Sequence, residues 1–284
     1  MYDITGGGNF SGATAKATGL GTNLGQIAWS SDRQIAYTTV WTSGPVKAVT
    51  NEGVVTDYAN VTNGLGIIVT QTGRVLVASR NTTSTILDIT NPTSITTFAT
   101  VPGTVRNMQQ LPSGEILVAG ASSGNDAKIW NVASGTAVVW ADLPGGEGAD
   151  IDYTSSGRVF ASVWNSSTAA QDAVYEVTGG GNFSAAAPFA KNTSGAPNFF
   201  FGLAIDRATD QILSAPPSQN YVLDITAGGN FSSASTRWAS NIPTTHDMAL
   251  DFVPLPVPEP AALGFVATAA TATILGRRRR SHRD

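Results

Sequence analysis

The sequence predicts an all-β protein, a β-propeller of about six four-stranded blades with one blade split between the termini. Two short phrases repeat along residues 1–253, and no stretch of that region shows sustained helical periodicity. Tandem units of roughly 40–50 residues that each hold four short strands are typical of propeller blades. Charged residues make up only 13% of the chain, which is typical of a β-rich, turn-rich protein.

One repeated phrase reads Tyr-Asp-Ile-Thr-Gly-Gly-Gly-Asn-Phe-Ser in its first copy. Close copies lie at residues 2–11, 175–184 and 223–232, and weaker copies lie at residues 87–92 and 130–135. In each copy a β-forming stretch runs into residues that favour turns. Glycine permits the positive φ angles that such turns need, so we interpret the glycine runs as strand connections rather than phosphate-binding loops.

A second phrase places a turn before a β-branched run, and it lies upstream of each copy of the first. Its anchors are Ile35, Val75, Ile116, Val159 and Ile212, spaced by 40, 41, 43 and 53 residues. In the fourth unit the four strands are expected near residues 149–153, 159–164, 173–177 and 187–191. The units resemble the blades of NHL or Kelch propellers, and a pair of β-sandwiches is the alternative that the spacing disfavours.

Five units are complete, and the sixth is predicted to be shared by the two termini. Residues 245–251 match a first strand, whereas residues 2–5 and 13–18 are expected as third and fourth strands. The second strand of this blade has no counterpart, and proteins normally avoid an unpaired sheet edge. We therefore expect the natural protein to begin upstream of Met1, where this strand and an export signal would lie.

Charge and cysteine content exclude several classes of function. The chain has no cysteine, which excludes disulfides, thiolate metal sites and cysteine nucleophiles. Its formal net charge is −4, and residues 277–284 hold five arginines, so the rest of the chain is more acidic still. Because nucleic-acid binding requires a basic surface, no nucleic-acid partner is expected.

The C-terminal residues have three parts in a fixed order. Residues 254–260 carry proline at every second position, which predicts a stiff, extended spacer. Residues 261–276 are uncharged and predict one short transmembrane helix, about 24 Å long against a bilayer core of about 30 Å. The arginines that follow favour the cytoplasmic side of a membrane.

These parts predict the domain organisation of the chain. It comprises a repeat domain at 1–253, a spacer at 254–260, and a transmembrane helix with a basic cytoplasmic tail at 261–284. The orientation set by the arginines places the repeat domain outside the cytoplasm.

The tail resembles the PEP-CTERM sorting signal of Gram-negative bacteria over residues 257–284. The matching residues are Val257, Pro258, Glu259 and Pro260, then the apolar helix, then Arg277, Arg278, Arg279 and Arg280. The resemblance implies recognition by an exosortase, a membrane-embedded cysteine protease or transpeptidase. It also implies export, transient membrane attachment through the helix, and transfer to the cell surface or extracellular matrix beside polysaccharide or surface proteins.

Acidic residues on the predicted inner strands are the candidates for a metal or ligand site. They are Asp150, Asp152, Asp206 and Asp251, with Glu147 and Asp247 nearby. Carboxylate oxygens suit Ca²⁺, and residues two apart share a strand face. The acids come from only three of six blades, however, so no metal, cofactor or catalytic residue is predicted. The six tryptophans are expected to fill the core between blades.

The leading prediction is an exported, non-catalytic propeller protein with a binding or structural role. The alternative is a secreted propeller enzyme of the lactonase or glycan lyase type, with an acidic metal site in the channel. The two differ at the channel mouth, because an enzyme needs carboxylates or histidines that converge from several blades.

Overall fold

The computed structural model describes residues 1, 7–9, 11–21, 23–41, 44–123, 126–133, 135–165, 172–193, 200–216, 219–232 and 234–242, all within the unit Met1–Val253. These residues form strands and turns without a helix. Among them, no segment could cross a membrane as an apolar helix. The proline spacer, the predicted transmembrane helix, the sorting signal and the predicted strand at 245–251 lie outside the described residues.

The strands that follow the short β1 (Gly8–Asn9) are arranged in four-stranded antiparallel blades. The first blade contains β2 (Leu24–Ser30), β3 (Ile35–Val40), β4 (Pro45–Thr50) and β5 (Val55–Asn60). The second contains β6 (Gly64–Val69), β7 (Val75–Ser79), β8 (Ser84–Asp88) and β9 (Thr96–Val101). The third contains β10 (Thr104–Gln110), β11 (Ile116–Ser122), β12 (Asp126–Ala133) and β13 (Thr136–Asp142).

Two further blades each include one additional short strand. The fourth contains β14 (Glu147–Tyr153), β15 (Val159–Trp164), β16 (Ala173–Glu176), β18 (Ala190–Asn192) and the short β22 (Gly229–Phe231), whereas the short β17 (Gly181–Asn182) pairs with the third blade. The fifth contains β19 (Gly202–Asp206), β20 (Gln211–Ala215), β21 (Val222–Asp224), β23 (Arg237–Ser240) and the short β1. The predicted anchors open the second strand of every blade, except that β20 begins one residue before Ile212.

The first strand of each blade lies beside the first strand of the next. β2 contacts β6, β6 contacts β10, β10 contacts β14, and β14 contacts β19. Apolar side chains fill the space between consecutive sheets; for example, Leu117 and Ile129 of the third blade pack with Ile151 and Tyr175 of the fourth. Removal of these side chains from water is the main driving force for such packing. This arrangement confirms the predicted all-β, propeller-like fold.

The repeated Asp-Ile-Thr phrase fastens the third strand of a blade to the second. In the fifth blade, Thr226 Oγ1 accepts the N–H of Ile212 at 2.9 Å and donates to Asp224 at 2.6 Å. The same N–H to hydroxyl bond occurs in the second and fourth blades, from Val75 to Thr90 and from Val159 to Thr178. The threonine thus supplies an acceptor to a backbone donor at the end of the ladder.

The glycine run that follows this phrase reaches over to the preceding blade. Gly180 has a φ of +70°, and a Cβ added there would lie 2.5 Å from the carbonyl oxygen of Trp140 in β13. Only glycine combines a positive φ with so close an approach. The following strand, β17, pairs in parallel with β13 through Ala141 and Asp142. The run therefore links the fourth blade to the third.

The same link recurs at two other places, one of them in the N-terminal copy of the phrase. β22 pairs in parallel with β18, and β1 pairs in parallel with β23. Gly228 lies against Phe189 and Gly7 lies against Trp238, and both glycines have a positive φ. Residues 7–9 of the N-terminal copy therefore lie beside the fifth blade, just as the glycine runs of the two later close copies lie beside the blade before them.

The N-terminal segment also contacts the first blade. Ala17 and Leu20 are buried in a cluster with Ala36 and Val49 of that blade. Met1 donates its amino group to the Ala17 carbonyl at 3.0 Å. Residues 13–18, predicted as a strand, do not form one, and their predicted partners at 2–5 lie outside the described residues.

Candidate functional site

The carboxylate of Glu147 is the centre of a polar cluster at one end of the inner strands. Glu147 begins β14, and its side chain is only 8% exposed. Its Oε2 accepts a hydrogen bond from Arg106 Nη2 at 2.7 Å. Its Oε1 accepts from Thr104 Oγ1 at 3.1 Å and from Arg80 Nη2 at 3.4 Å. Two blades therefore supply the groups that surround one buried carboxylate of a third blade.

Aromatic rings hold the two guanidinium groups in place. Arg106 Cζ lies 4.7 Å from the ring centroid of Trp164 and 5.6 Å from that of Phe201. Arg80 Cζ lies 5.9 Å from the ring centroid of Trp41. A cation over an aromatic face is attracted by the ring quadrupole. Trp41 and Trp164 thus pack against the arginines of this cluster. Trp130 fills the core between blades, which is the role that was expected of all six tryptophans.

A small cavity opens beside these groups. It is lined by Leu24, Gln26, Trp41, Leu65, Arg106 and Phe201. We define the channel cluster as Trp41, Arg80, Thr104, Arg106, Glu147, Trp164 and Phe201. Each of the five blades with described first strands contributes at least one of its members. The cluster has one carboxylate and no histidine, so arginines and aromatic rings converge here from several blades rather than the carboxylates or histidines expected of a propeller enzyme.

The electrostatics of the channel cluster keep Glu147 ionised. Burial raises the pKa of its carboxyl, but the bonds and charges of Arg106, then Arg80 and Thr104, outweigh burial and hold the pKa below its ordinary value. One carboxylate and two guanidinium groups leave the cluster with a net positive charge. A positively charged, partly apolar cavity favours substrates or intermediates that carry negative charge on oxygen.

Asp150, a predicted metal ligand, lies in β14 but bonds protein donors. Its Oδ2 accepts the N–H of Leu203 in β19 at 2.8 Å. Its Oδ1 accepts the side-chain amide of Asn107 in β10 and the N–H of Ile151. Burial raises the pKa of Asp150 to about 8, and these N–H donors act in the opposite direction. Asp150 therefore joins the inner strands of three blades.

Asp152 repeats this arrangement one step along the same strand face. Its Oδ2 accepts the N–H of Ile205 in β19 at 2.7 Å. Its Oδ1 accepts from Gln109 Nε2 in β10 at 2.7 Å and from Arg207 Nη2 at 2.6 Å. Burial raises the pKa of this carboxyl too. We call Asp150 and Asp152, with these partners, the aspartate clamp.

The remaining acidic candidates do not join the aspartate clamp. Asp206 ends β19 and caps the following turn, accepting from Ala208 N–H at 2.9 Å and Thr209 Oγ1 at 2.7 Å. Asp247 and Asp251 lie outside the described residues. Within the described ranges, no three acidic or histidine side chains are grouped so that they could hold a metal ion. The structure thus brings together Asp150 and Asp152, but not Asp206.

Sequence reasoning missed the arginines of the channel cluster. Arg106 lies at the bulge of β10, and the bulges of β2, β6 and β14 include Gln26, Leu65 and Ala149, none of which is charged. A charge at a strand position where other blades have none could have indicated a functional residue from the sequence. Arg80 follows directly after β7, but nothing local to it indicates a partner 67 residues away.

No protein-family model and no curated protein matches the chain. Solved structures do: a gluconolactonase from Xanthomonas campestris is 13% identical with a TM-score of 0.57, covering 80% of this chain and 79% of that one. Regucalcin, a calcium-binding protein from Agrobacterium tumefaciens, is 15% identical with a TM-score of 0.59, covering 81% and 78%. A virginiamycin B lyase from Staphylococcus aureus is 17% identical with a TM-score of 0.55, covering 81% and 73%.

These likenesses correct the leading prediction of a non-catalytic protein. Two of the three neighbours are enzymes and the third binds calcium, so the fold points towards an enzyme, and the binding or structural interpretation was wrong. It failed because it counted only carboxylates and histidines at the channel mouth and overlooked the arginines that converge there. At these sequence identities the comparisons establish the fold alone. The matched part of the repeat domain has the fold of a gluconolactonase-like propeller.

Proposed function

We propose that the chain is an enzyme that hydrolyses a small cyclic ester, such as a sugar lactone, at the channel cluster. The observation that carries the proposal is the buried Glu147 carboxylate, held ionised between Arg80 and Arg106, together with the small cavity that Arg106 lines with Trp41 and Phe201. A carboxylate base beside cationic donors is the pair of groups that ester hydrolysis requires.

The proposed reaction uses the groups of the channel cluster directly. A water molecule gives its proton to Glu147 while its oxygen bonds to the carbonyl carbon of the ester. The carbonyl electron pair moves to oxygen, and N–H groups of Arg80 and Arg106 stabilise the resulting oxyanion. The oxyanion then collapses, the ring C–O bond breaks, and the leaving oxygen takes the proton from Glu147. The product is a hydroxy acid.

A divalent cation, which the name of one neighbour implies, does not fit the described carboxylates. Glu147 lies between two guanidinium groups, whose positive charges would repel a cation. Both oxygens of Asp150 and of Asp152 accept N–H bonds from neighbouring strands. A cation would have to replace several of these donors, so no step of the proposed reaction passes through a metal.

The proposed activity is tested by turnover of lactones. Purified protein is incubated with a panel of sugar lactones, simple lactones and linear esters, and acid release is followed with a pH indicator. We expect lactone hydrolysis well above the spontaneous rate. An absence of hydrolysis, or the appearance of an unsaturated product without water uptake, would contradict the proposal, and the second result would favour a lyase.

We also infer that the N-terminal segment completes a six-bladed ring. The support is the β1–β23 link to the fifth blade together with the packing of Ala17 and Leu20 on the first blade. Because the chain has no cysteine, Asn9→Cys with Asn241→Cys gives a clean test. The amide groups of these two side chains bond at 3.2 Å, so we expect a short bifunctional thiol reagent to join the two cysteines within one chain; absence of this crosslink would argue against the link.

A separate proposal concerns the location of the protein. It is supported by the sequence of residues 257–284 alone. We infer that an exosortase-type protease recognises Val257, Pro258, Glu259 and Pro260 while the helix is transiently in the membrane. Intact mass of the protein from its own cells checks this inference. A mature species without the terminal arginines is expected, and membrane-extracted full-length protein in cells that contain the protease would overturn it.

A further inference from the structure

An aromatic residue followed directly by alanine lies at the outer strand of each of the five described blades. The five pairs are Tyr58-Ala59, Phe98-Ala99, Trp140-Ala141, Phe189-Ala190 and Trp238-Ala239. In β5, β9, β13 and β23 the ladder shifts register at the aromatic residue, as at a β-bulge. The alanine is buried in all five blades. The outer edges therefore share one sequence pattern and, in these four strands, one local geometry.

In the third to fifth blades, a short strand from another part of the chain covers this aromatic–alanine pair. We call β17, β22 and β1, each with the glycine before it, the glycine straps. In the third blade, Gly180 lies against Trp140, and β17 then pairs in parallel with β13. The N–H of Phe183 donates to the Asp142 carbonyl at 2.7 Å. The glycine that opens each strap has a φ between +65° and +70°, so a strap needs glycine where it meets the aromatic residue.

The outer edge of the first blade has no glycine strap. The second blade's copy of the phrase carries Pro92 at the position of Gly180, and proline cannot adopt the positive φ that a strap requires. The chain turns instead, with the N–H of Ser94 donating to the Asn91 carbonyl at 3.0 Å. The edge of the second blade is met by the start of β13, which pairs with β9. Of the five described outer strands, only β5 pairs with no described strand on its outer side.

We propose that the outer edge of β5 binds an extended Gly-Gly-Asn-Phe strand of a partner protein, in the parallel arrangement of the glycine straps. An unpaired edge exposes backbone N–H and C=O groups, and addition of a strand to such an edge is a common mode of peptide recognition. Tyr58 and Ala59 supply the aromatic–alanine pair. Asn60, which is exposed, occupies the position at which Asp142 accepts the N–H of Phe183.

The glycine straps of this chain indicate which strand fits the edge and which partner supplies it. A Cβ added to Gly7, Gly180 or Gly228 would lie 2.5, 2.5 or 2.7 Å from the carbonyl oxygen of the aromatic residue that it contacts, so the edge selects glycine at that point. The three straps of a second copy of the chain are already paired in their own sheets. A second copy therefore has no such strand to offer, and the occupant is a strand of a different protein.

Binding is measured with a fluorescent peptide of residues 177–184, Val-Thr-Gly-Gly-Gly-Asn-Phe-Ser, titrated with the full chain and followed by fluorescence anisotropy. We expect saturable binding. The matched control is the same peptide with Gly180→Ala, which has to adopt a strained φ beside the carbonyl of Tyr58. Because such strain is costly, we expect the control peptide to bind about tenfold more weakly.

Two substitutions at one position locate the peptide on the protein. Asn60→Pro removes a backbone N–H and places a ring at the edge, where an edge strand tolerates proline but a further strand cannot pair with it. Asn60→Ala keeps the backbone of the edge and is the matched control. We expect Asn60→Pro to abolish peptide binding and Asn60→Ala to leave it unchanged, with the same circular dichroism spectrum in both variants. If Asn60→Pro loses its fold, the two peptides decide the inference by themselves.

Equal affinities of the two peptides, or no binding of either, overturn the inference. Unchanged binding to Asn60→Pro overturns it as well, because the peptide then lies elsewhere. Self-association of the protein alone that is lost in Asn60→Pro would overturn the choice of partner in favour of a second copy. None of these measurements involves lactone turnover, so the inference is tested independently of the proposed hydrolase.

Discussion

Replacement of Glu147 with Gln is expected to lower kcat/KM for lactone hydrolysis by about 10²–10⁴-fold, the usual contribution of a general base. Glutamine has the same shape and keeps an oxygen that accepts from Arg106, but it cannot take the proton of the attacking water. The chain should stay folded. Initial rates give the loss of activity, and circular dichroism gives the fold of the same sample.

The control for this substitution is Glu176→Gln. Glu176 also pairs with an arginine, since Arg158 donates to its two carboxylate oxygens at 3.0 and 2.7 Å, but this pair is exposed at the end of the third strand of its blade. We expect less than a twofold change in activity for Glu176→Gln. A comparable loss in both variants would show that Glu147 acts through stability and is no base.

The pH profile gives a second measure of the same group. Because the arginines hold the pKa of Glu147 below its ordinary value, the base stays ionised as the pH falls through the usual glutamate range, near 4.3. Activity should therefore persist to acidic pH. Arg80→Gln removes one stabilising charge and should move the acid limb to higher pH. An acid limb near neutral pH in the wild type would contradict the assignment.

Removal of the aspartate clamp is expected to cause the largest loss of stability. Asp152→Ala leaves the buried N–H of Ile205 and the partly exposed Arg207 without their acceptor, and leaving a buried donor unsatisfied costs about 1–3 kcal/mol. Asp150→Ala removes the acceptor of three N–H donors and should have an effect of similar size. Urea unfolding of each variant measures the change.

Asp206→Ala is the matched control for the clamp variants. Asp206 lies in the next inner strand but bonds only within its own turn, so its loss should cost about 1 kcal/mol or less. Unfolding with and without calcium distinguishes a structural clamp from a metal site at the same carboxylates. A calcium-dependent gain in wild-type stability that disappears in Asp150→Ala would contradict a purely structural clamp.

Local chemistry alone predicted the second and most third strands of the described blades, although the strand expected at residues 13–18 does not form. A turn followed by a β-branched anchor, as at Val75 and Val159, marks the start of a second strand because turn and strand preferences act over a few residues. Copies of the first phrase likewise marked the third strands of the second to fifth blades, whereas the first blade has no copy. The hydrogen bond between the phrase and the second strand, as from Val159 to Thr178, lies within one blade.

For the glycine runs, local sequence patterns predict the turn but not the residues that the turn contacts. The sequence indicated that Gly180 lies in a turn, because glycine tolerates a positive φ. That its backbone packs against Trp140 of the preceding blade depends on how two sheets are placed. The same holds for the N-terminal copy, whose partner strand β23 is more than 200 residues away.

The partners of the charged residues at the candidate site depend on the tertiary structure. From the sequence, Asp150 and Asp152 were known only to share a strand face, which suits metal ligands and buried acceptors equally well. The N–H groups of Leu203 and Ile205, each 53 residues away, make them acceptors. Arg80 and Arg106 reach Glu147 across 67 and 41 residues. Strand periodicity determines which face a side chain occupies, but only the packing of blades determines which charges meet there.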